Sequence, residues 1–253
     1  MALIKTLDEQ EALRSGGRIL GQVLATLISM VQPNVRLTEL ERAADQLIRA
    51  QGAIPAFKGY RGYSSVLCTS INNEVVHCPP TRRRLSNGDI LSIDIGLIYQ
   101  GMYLDSAVTV PVGIISEAAQ HLLQVTKTAL YEKAQAIIKP GNTIGDIGYA
   151  IQTFVESEGL TVVRDLVGHG IGTQLHEDPP IPNFGKPHTG MTLQAGMAIA
   201  VEPMVNIGRP GVVFEDDGWR VVTKDGSLSA HFEHTFLITT SGCDMVTALP
   251  DAV

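Results

Sequence analysis

Two apolar runs in the middle of the chain, residues 90–99 and 102–110, are separated only by Gln100-Gly101, a spacing that predicts a tight β-hairpin. Side chains alternate between the two faces of a strand, so Ile90, Ser92 and Asp94 share one face. With a two-residue loop, 99 pairs with 102 and 94 with 107, which sets Asp105 one step diagonal to Asp94 on the same side. Two carboxylates side by side on an apolar sheet repel each other and lose hydration. They require a cation or a shared proton.

Helical periodicity surrounds this hairpin. Thr6-Leu7-Asp8-Glu9 reads as a capping box opening an amphipathic helix that Pro33 closes. Gly16, Gly17 and Gly21 within it cost helix propensity and predict close packing against a neighbour. Thr38-Glu39-Leu40-Glu41 reads as a second capping box, with its helix ending near Gly52. Residues 53–65 predict a loop, 66–76 a strand, 116–138 a helix stopped by Pro140-Gly141, and 143–159 another helix. Beyond Thr161 the pattern is mostly strand and loop.

The two helical regions echo each other. A shift of 107 lays Pro33 on Pro140, Leu40 on Ile147 and Gly52 on Gly159; a shift of 108 lays Asp94 on Glu202, each acid ending an apolar strand. The expectation is one catalytic domain, 1–253, with an internal pseudo-repeat of roughly 1–112 and 113–253. Its fold class is α+β, a curved, mainly antiparallel sheet backed by helices with polar groups on its inner face.

Composition narrows the function. With 253 residues, 44% hydrophobic and 18% charged, the chain can bury a large core and has no disordered composition. A formal charge of −7 argues against nucleic acid as partner, and the short basic run Arg82-Arg83-Arg84 reads as a solvated loop. Three cysteines without CxxC spacing fit a reducing cytoplasm rather than a disulfide framework. The first ten residues lack a signal-peptide core, and the most apolar helix, 19–31, is too short to span a bilayer.

Further chemistry-bearing residues are embedded in the second half. His169 lies in Gly168-His169-Gly170-Ile171-Gly172, His176 follows seven residues later, Glu202 ends the apolar run 197–201, and Glu233 stands among aromatics in an alternating strand. Singly, each has an ordinary explanation as a turn, strand-end or salt-bridged residue. Together, four acids and a histidine in apolar strands need one compensating object. Asp94, Asp105, Glu202 and Glu233 carry four negative charges, which two divalent cations neutralise. Oxygen-rich ligation with one or two imidazoles suits Mn, Fe(II) or Co, with Zn also compatible. Two such ions about 3.5–4 Å apart can clamp and acidify a water, so metal-assisted hydrolysis of a carbonyl compound is the expected reaction class.

The ordered set Asp94, Asp105, His169, Glu202 and Glu233 resembles the methionine aminopeptidases, whose pita-bread fold is shared with proline-specific peptidases and creatinase. The resemblance spans nearly the whole chain through Asp-x10-Asp, Gly-His-Gly-Ile-Gly, Val201-Glu202-Pro203-Met204 and Phe232-Glu233-His234-Thr235. It implies that Asp105 and Glu233 bridge two metal ions, Asp94 chelates one, and His169 with Glu202 completes the other. It further implies Glu202 as proton carrier, His176 as hydrogen-bond partner of the scissile carbonyl, and His77 as a contact to the amide beyond it. Tyr60, Tyr63, Cys68 and Trp219 match positions lining a methionine side-chain pocket. The implied substrate is a peptide or nascent-chain N-terminus at the ribosome, cleaved when the second residue is small, by a cytoplasmic monomer with neither nucleic acid nor membrane as partner.

Three positions depart from the family pattern: Cys78-Pro79-Pro80 replaces Gly-Ile-Pro, Leu175 replaces a common Phe, and His231 stands where Gln often occurs. The length, without a large insertion in the second half or a cysteine-bearing N-terminal extension, points to the type I enzymes. Two alternatives remain open. One is an Xaa-Pro-specific peptidase on the same fold, although those relatives usually carry an extra N-terminal domain and a His where this chain has Asp165. The other is a catalytically impaired binding paralogue.

Overall fold

A computed structural model describes residues 3–250. Nine strands form the main sheet: β1 (Ile54–Pro55), β2 (Leu67–Ile71), β3 (Ile90–Tyr99), β4 (Met102–Pro111), β5 (Gly168–Gly170), β6 (Glu177–Ile181), β7 (Ala198–Val201), β8 (Glu233–Ile238) and β9 (Cys243–Met245). The order is β1-β3-β4-β8-β7-β5-β6, with β2 also beside β3 and β9 also beside β8. Every one of these pairings is antiparallel. Two smaller three-stranded sheets flank it, one of them made by Thr161–Val162, Met204–Asn206 and Ser229–His231.

The β3–β4 hairpin has the register expected from its turn: Tyr99 faces Met102, Asp94 faces Ala107 and Gly96 faces Asp105. Gln100 and Gly101 both take positive φ, the backbone a two-residue hairpin turn demands. Apolar side chains fill both faces of β3, where Ile90, Ile93, Ile95 and Leu97 are buried.

Helix α1 (Leu7–Ser29) starts at a capping box in which Thr6 Oγ1 accepts from Glu9 N–H and the Glu9 carboxylate accepts from Thr6 N–H. Its glycines do meet neighbouring chain. A Cβ on Gly16 would lie 2.9 Å from Tyr99 Cβ, one on Gly17 2.1 Å from the Val246 carbonyl oxygen, and one on Gly21 2.3 Å from that of Ala248. The helix therefore lies directly on the hairpin and on the segment after β9.

Helix α2 (Leu37–Ala50) corrects the expected capping box at Thr38. The N-cap is Arg36, two residues earlier, and the helix has no side-chain cap. The Glu41 carboxylate instead accepts from Val66 N–H at 2.7 Å and Leu67 N–H at 2.9 Å, tying the helix to the start of β2. These two amides stand at the start of β2, which pairs only with β3 in the main sheet, so the tertiary contact takes the carboxylate from the local one. The expected strand over 66–76 is also broken: Asn72 turns the chain at φ 61° between β2 and Glu74–Val76.

Helix α3 (Glu117–Thr128) continues through a π-helical turn, Ala129–Ala134, before ending at Ile137. Helix α4 (Ile144–Ser157) opens at a Thr143–Asp146 capping box. The N-terminal segment is pinned by a buried ion pair, Lys5 Nζ to Glu177 Oε2 at 2.6 Å, on the strand that follows His176.

The seat of α1 generates a test. Gly17→Ala gains about 1 kcal/mol of helix propensity, but its methyl would overlap a backbone carbonyl, and such overpacking costs about 1–3 kcal/mol. The clash wins: the urea midpoint is expected to fall with an unchanged m-value, whereas an unchanged or higher midpoint would show that α1 is free to move.

Candidate active site

The acids converge because the strands are in register. Asp94 on β3 faces Ala107 on β4, and Ala107 faces Glu233 on β8, so the two acids flank one small residue. Asp105 lies two residues along β4 on the same face. On the far side, His234 faces Val201 and Ala200 faces His169. Glu202, just past Val201, comes beside Glu233.

Backbone and hydroxyl contacts hold this array. Thr235 Oγ1 accepts from Asp105 N–H at 3.1 Å and donates to the Asp105 carbonyl at 2.9 Å, locking β4 to β8. Ser106 N–H donates to Asp105 Oδ1, and Ser106 Oγ donates to the Glu233 carbonyl. Asn183 Nδ2 donates to the Glu202 carbonyl at 2.9 Å. His169 Nδ1–H donates to the Gly170 carbonyl at 2.9 Å, which leaves Nε2 as the lone-pair nitrogen, 3.6 Å from Glu202 Oε1.

Burial sets the electrostatics. Removal from water pushes the Asp94 carboxyl up to about 7, against hydrogen bonds from Cys68 and Asp105 that favour its anion. Asp105, Glu202 and Glu233 are raised well above the usual carboxylate range, first by desolvation and then by one another's charge. Desolvation lowers His169 to about 4 and His231 to about 3, so both imidazoles are neutral at pH 7.

These residues fit divalent cations. Asp94 Oδ1 and Glu233 Oε1 are buried with no hydrogen-bond partner. Ligand atoms of Asp105, His169 and Glu233 lie within 4.8 Å of one another, and so do those of Glu202, His231 and Glu233. A row of oxygens with neutral imidazole nitrogens is a hard-to-borderline donor set.

A cavity of about 490 Å³ opens over the acids. It is lined by Asp94, Asp105, His169, Glu202 and Glu233 on its floor, and by His77, His176, Tyr60, Tyr63, Cys68 and Trp219 on its walls. The sequence motifs point to all eleven. Tyr60 Oη hydrogen-bonds His176 Nδ1 at 2.7 Å, and the His176 ring lies 4.3 Å from that of His169. Tyr63 meets Trp219 edge-on at 4.9 Å, and its hydroxyl donates to the Leu67 carbonyl. His77 takes a left-handed backbone, φ 61°, at the rim. Cys68 faces Asp94 in the β2–β3 register, so it borders the acids as well as the wall.

Comparison with known proteins decides the family. Residues 11–240 match the profile described as metallopeptidase family M24.

The chain belongs to metallopeptidase family M24.

Within the family, it is 47% identical over 247 residues to methionine aminopeptidase 1 of Bacillus subtilis, covering 98% of this chain and 99% of the relative. It is 45% identical to the methionine aminopeptidase of Clostridium perfringens, covering 98% and 100%. The crystal structure of methionine aminopeptidase from Thermotoga maritima superposes with a TM-score of 0.96 at 45% identity, over 98% of this chain and all of that one. A prolidase from Pyrococcus horikoshii superposes at 0.77 with 19% identity, a likeness of fold alone. This M24 chain therefore has the α+β, pita-bread architecture of a metal-dependent peptidase. No helix among the described residues is long and apolar enough to cross a membrane.

The supports of the site carry little sequence signal. Thr235 is visible only as part of a motif, Asn183 has no signal of its own, and His231 stands out merely as a departure from the family pattern.

The acid cluster makes two predictions for chelated, metal-free protein. Folded pKa values raised above an unfolded value of about 4 mean that the folded state holds extra protons. Stability is then full below about pH 4 and is lost as pH rises toward about 7, the folded value of Asp94. The melting temperature should fall over that window, and Mn²⁺ at pH 7 should restore it. Asp105→Asn should raise the metal-free melting temperature by removing one repelling charge, yet abolish the gain on adding Mn²⁺; a retained gain would exclude Asp105 as a ligand.

Proposed function

We propose that this chain is a type I methionine aminopeptidase of the cytoplasm, removing an N-terminal methionine from nascent proteins when the second residue is small. The observation that carries the reading is the cavity itself. Four carboxylates and a neutral imidazole form one end, and Tyr60, Tyr63 and Trp219 form an apolar-edged wall beside them. The relatives at 40–47% identity carry the matching name.

Asp94, Asp105, His169, Glu202 and Glu233 would hold two divalent cations, Mn, Fe(II), Co or Zn. Once bound, such a pair supplies Lewis acidity toward a carbonyl and acidifies a water. The chain's own groups do the rest. Glu202, held by Asn183 at its carbonyl and flanked by imidazoles, receives a proton at its carboxylate and returns it to the leaving amine. Desolvation by the cavity walls, then neighbouring His169, lowers the His176 pKa and keeps the ring neutral. Oriented by Tyr60, that ring donates from Nε2 to the scissile carbonyl as negative charge grows there. His77 contacts the amide beyond the cleaved bond. The side-chain pocket between Tyr60, Tyr63, Cys68 and Trp219 takes the methionine, with Leu175 in its wall.

The whole chain acts as one catalytic domain built from two pseudo-symmetric halves, with α2 and α4, each of 14 residues, as their equivalent helices. It works as a monomer on a peptide or nascent-chain N-terminus emerging from the ribosome.

The test is a Mn²⁺-reconstituted assay on Met-Ala-Ser against an Xaa-Pro dipeptide. Release of methionine from the first alone supports the proposal, and cleavage of the second alone reverses it. In the same assay His77→Ala should lower turnover by about 10²–10³-fold, the loss on removing one preorganised hydrogen-bond donor, while metal stoichiometry stays unchanged. Loss of metal in that variant would assign His77 a different role.

A further inference from the structure

His231 is buried and both of its ring nitrogens lack a hydrogen-bond partner. That is a costly arrangement, since a buried polar atom without a partner loses its hydration and gains nothing in return. Its aim is fixed. Thr109 Oγ1 accepts from His231 N–H and donates to the His231 carbonyl, both at 2.8 Å, and Met204 pairs with it on the other side. The ring therefore points at the acids by construction.

Nε2 stands 3.7 Å from Glu202 Oε2 and 3.8 Å from Glu233 Oε2. These separations are too long for hydrogen bonds, which end near 3.2 Å. They suit two atoms bonded to one ion, because metal–nitrogen and metal–oxygen bonds of about 2.0–2.2 Å put neighbouring ligands roughly 3–4 Å apart. Glu202 is shared: its Oε1 faces His169 and its Oε2 faces His231. Each of its two oxygens thus has its own imidazole nearby.

We propose that His231 is a further metal ligand, giving the cation held by Glu202 and Glu233 a second imidazole nitrogen beside that of His169. The proposal rests on the reading of the five residues above as a cation site and adds a second nitrogen donor to it. A site with two nitrogen donors is softer than one with a single nitrogen and shifts preference toward Zn²⁺, Co²⁺ or Fe²⁺ over Mn²⁺.

The test uses the full chain with ¹⁵N-labelled histidine, stripped of metal and titrated with Zn²⁺. Ring nitrogen signals are followed by NMR, and metal binding by calorimetry. Two imidazoles should move to the metal-bound position, one belonging to His169 and the other missing from the spectrum of His231→Gln. That variant should bind its weaker equivalent of Zn²⁺ at least about tenfold less tightly, the lower end of the loss seen for outer partners of a metal site. Movement of His169 alone, with unchanged affinity in the variant, overturns the role of His231 and leaves the five-residue site standing. Movement of neither overturns both. If His231→Gln does not fold, His231→Asn serves for the assignment, and the number of shifted imidazoles in the unsubstituted protein, one or two, still decides.

Discussion

Four carboxylates forced together out of water are the constraint around which this chain is built. Left alone they would separate or take up protons, since each raises the pKa of the next. They stay together because they sit on the middle strands of a sheet whose register is fixed on every side. A one-residue slip of β4 against β3 would turn Asp105 to the opposite face. The hydrophobic burial of β3 and the turn at Gln100-Gly101 prevent that slip. Folding energy from the core is thus spent on holding a charge array that opposes folding, an arrangement that makes sense only if a cation is its intended occupant.

The strands and the loops divide the labour. Asp94, Asp105 and Glu233 lie within strands, and Glu202 immediately after one. Tyr60, Trp219 and His176 come from connecting segments, which can be reshaped without disturbing the strands. Hydroxyl residues stitch the strands together: Thr235 and Ser106 tie β4 to β8, and Thr109 ties β4 to the strand carrying His231.

Much of this is legible in the sequence, for physical reasons. The hairpin register follows from a strand period of two and a two-residue turn, so the spacing of Asp94 and Asp105 alone fixes where each stands relative to the other. Gly16, Gly17 and Gly21 announce a close helix approach because nothing else explains three glycines in a helix. What stays hidden is tertiary. Thr38 and Glu41 have the spacing of a capping box, but the Glu41 carboxylate is used by two strand amides far along the chain. The π-turn at Ala129–Ala134 has no local signature; it carries Tyr131, whose hydroxyl contacts His234 on the face opposite the acids. Asn183 supports Glu202 through a backbone carbonyl, a role any donor of the right reach could fill.

The seating of Tyr60 and Trp219 outside the regular strands uncouples the cavity wall from its floor. Insertions or substitutions in those segments leave the ladder beneath them undisturbed, so the cavity wall can change shape while the acid-bearing strands keep their register. A scaffold partitioned in this way separates the shape of its cavity from the placement of its acids.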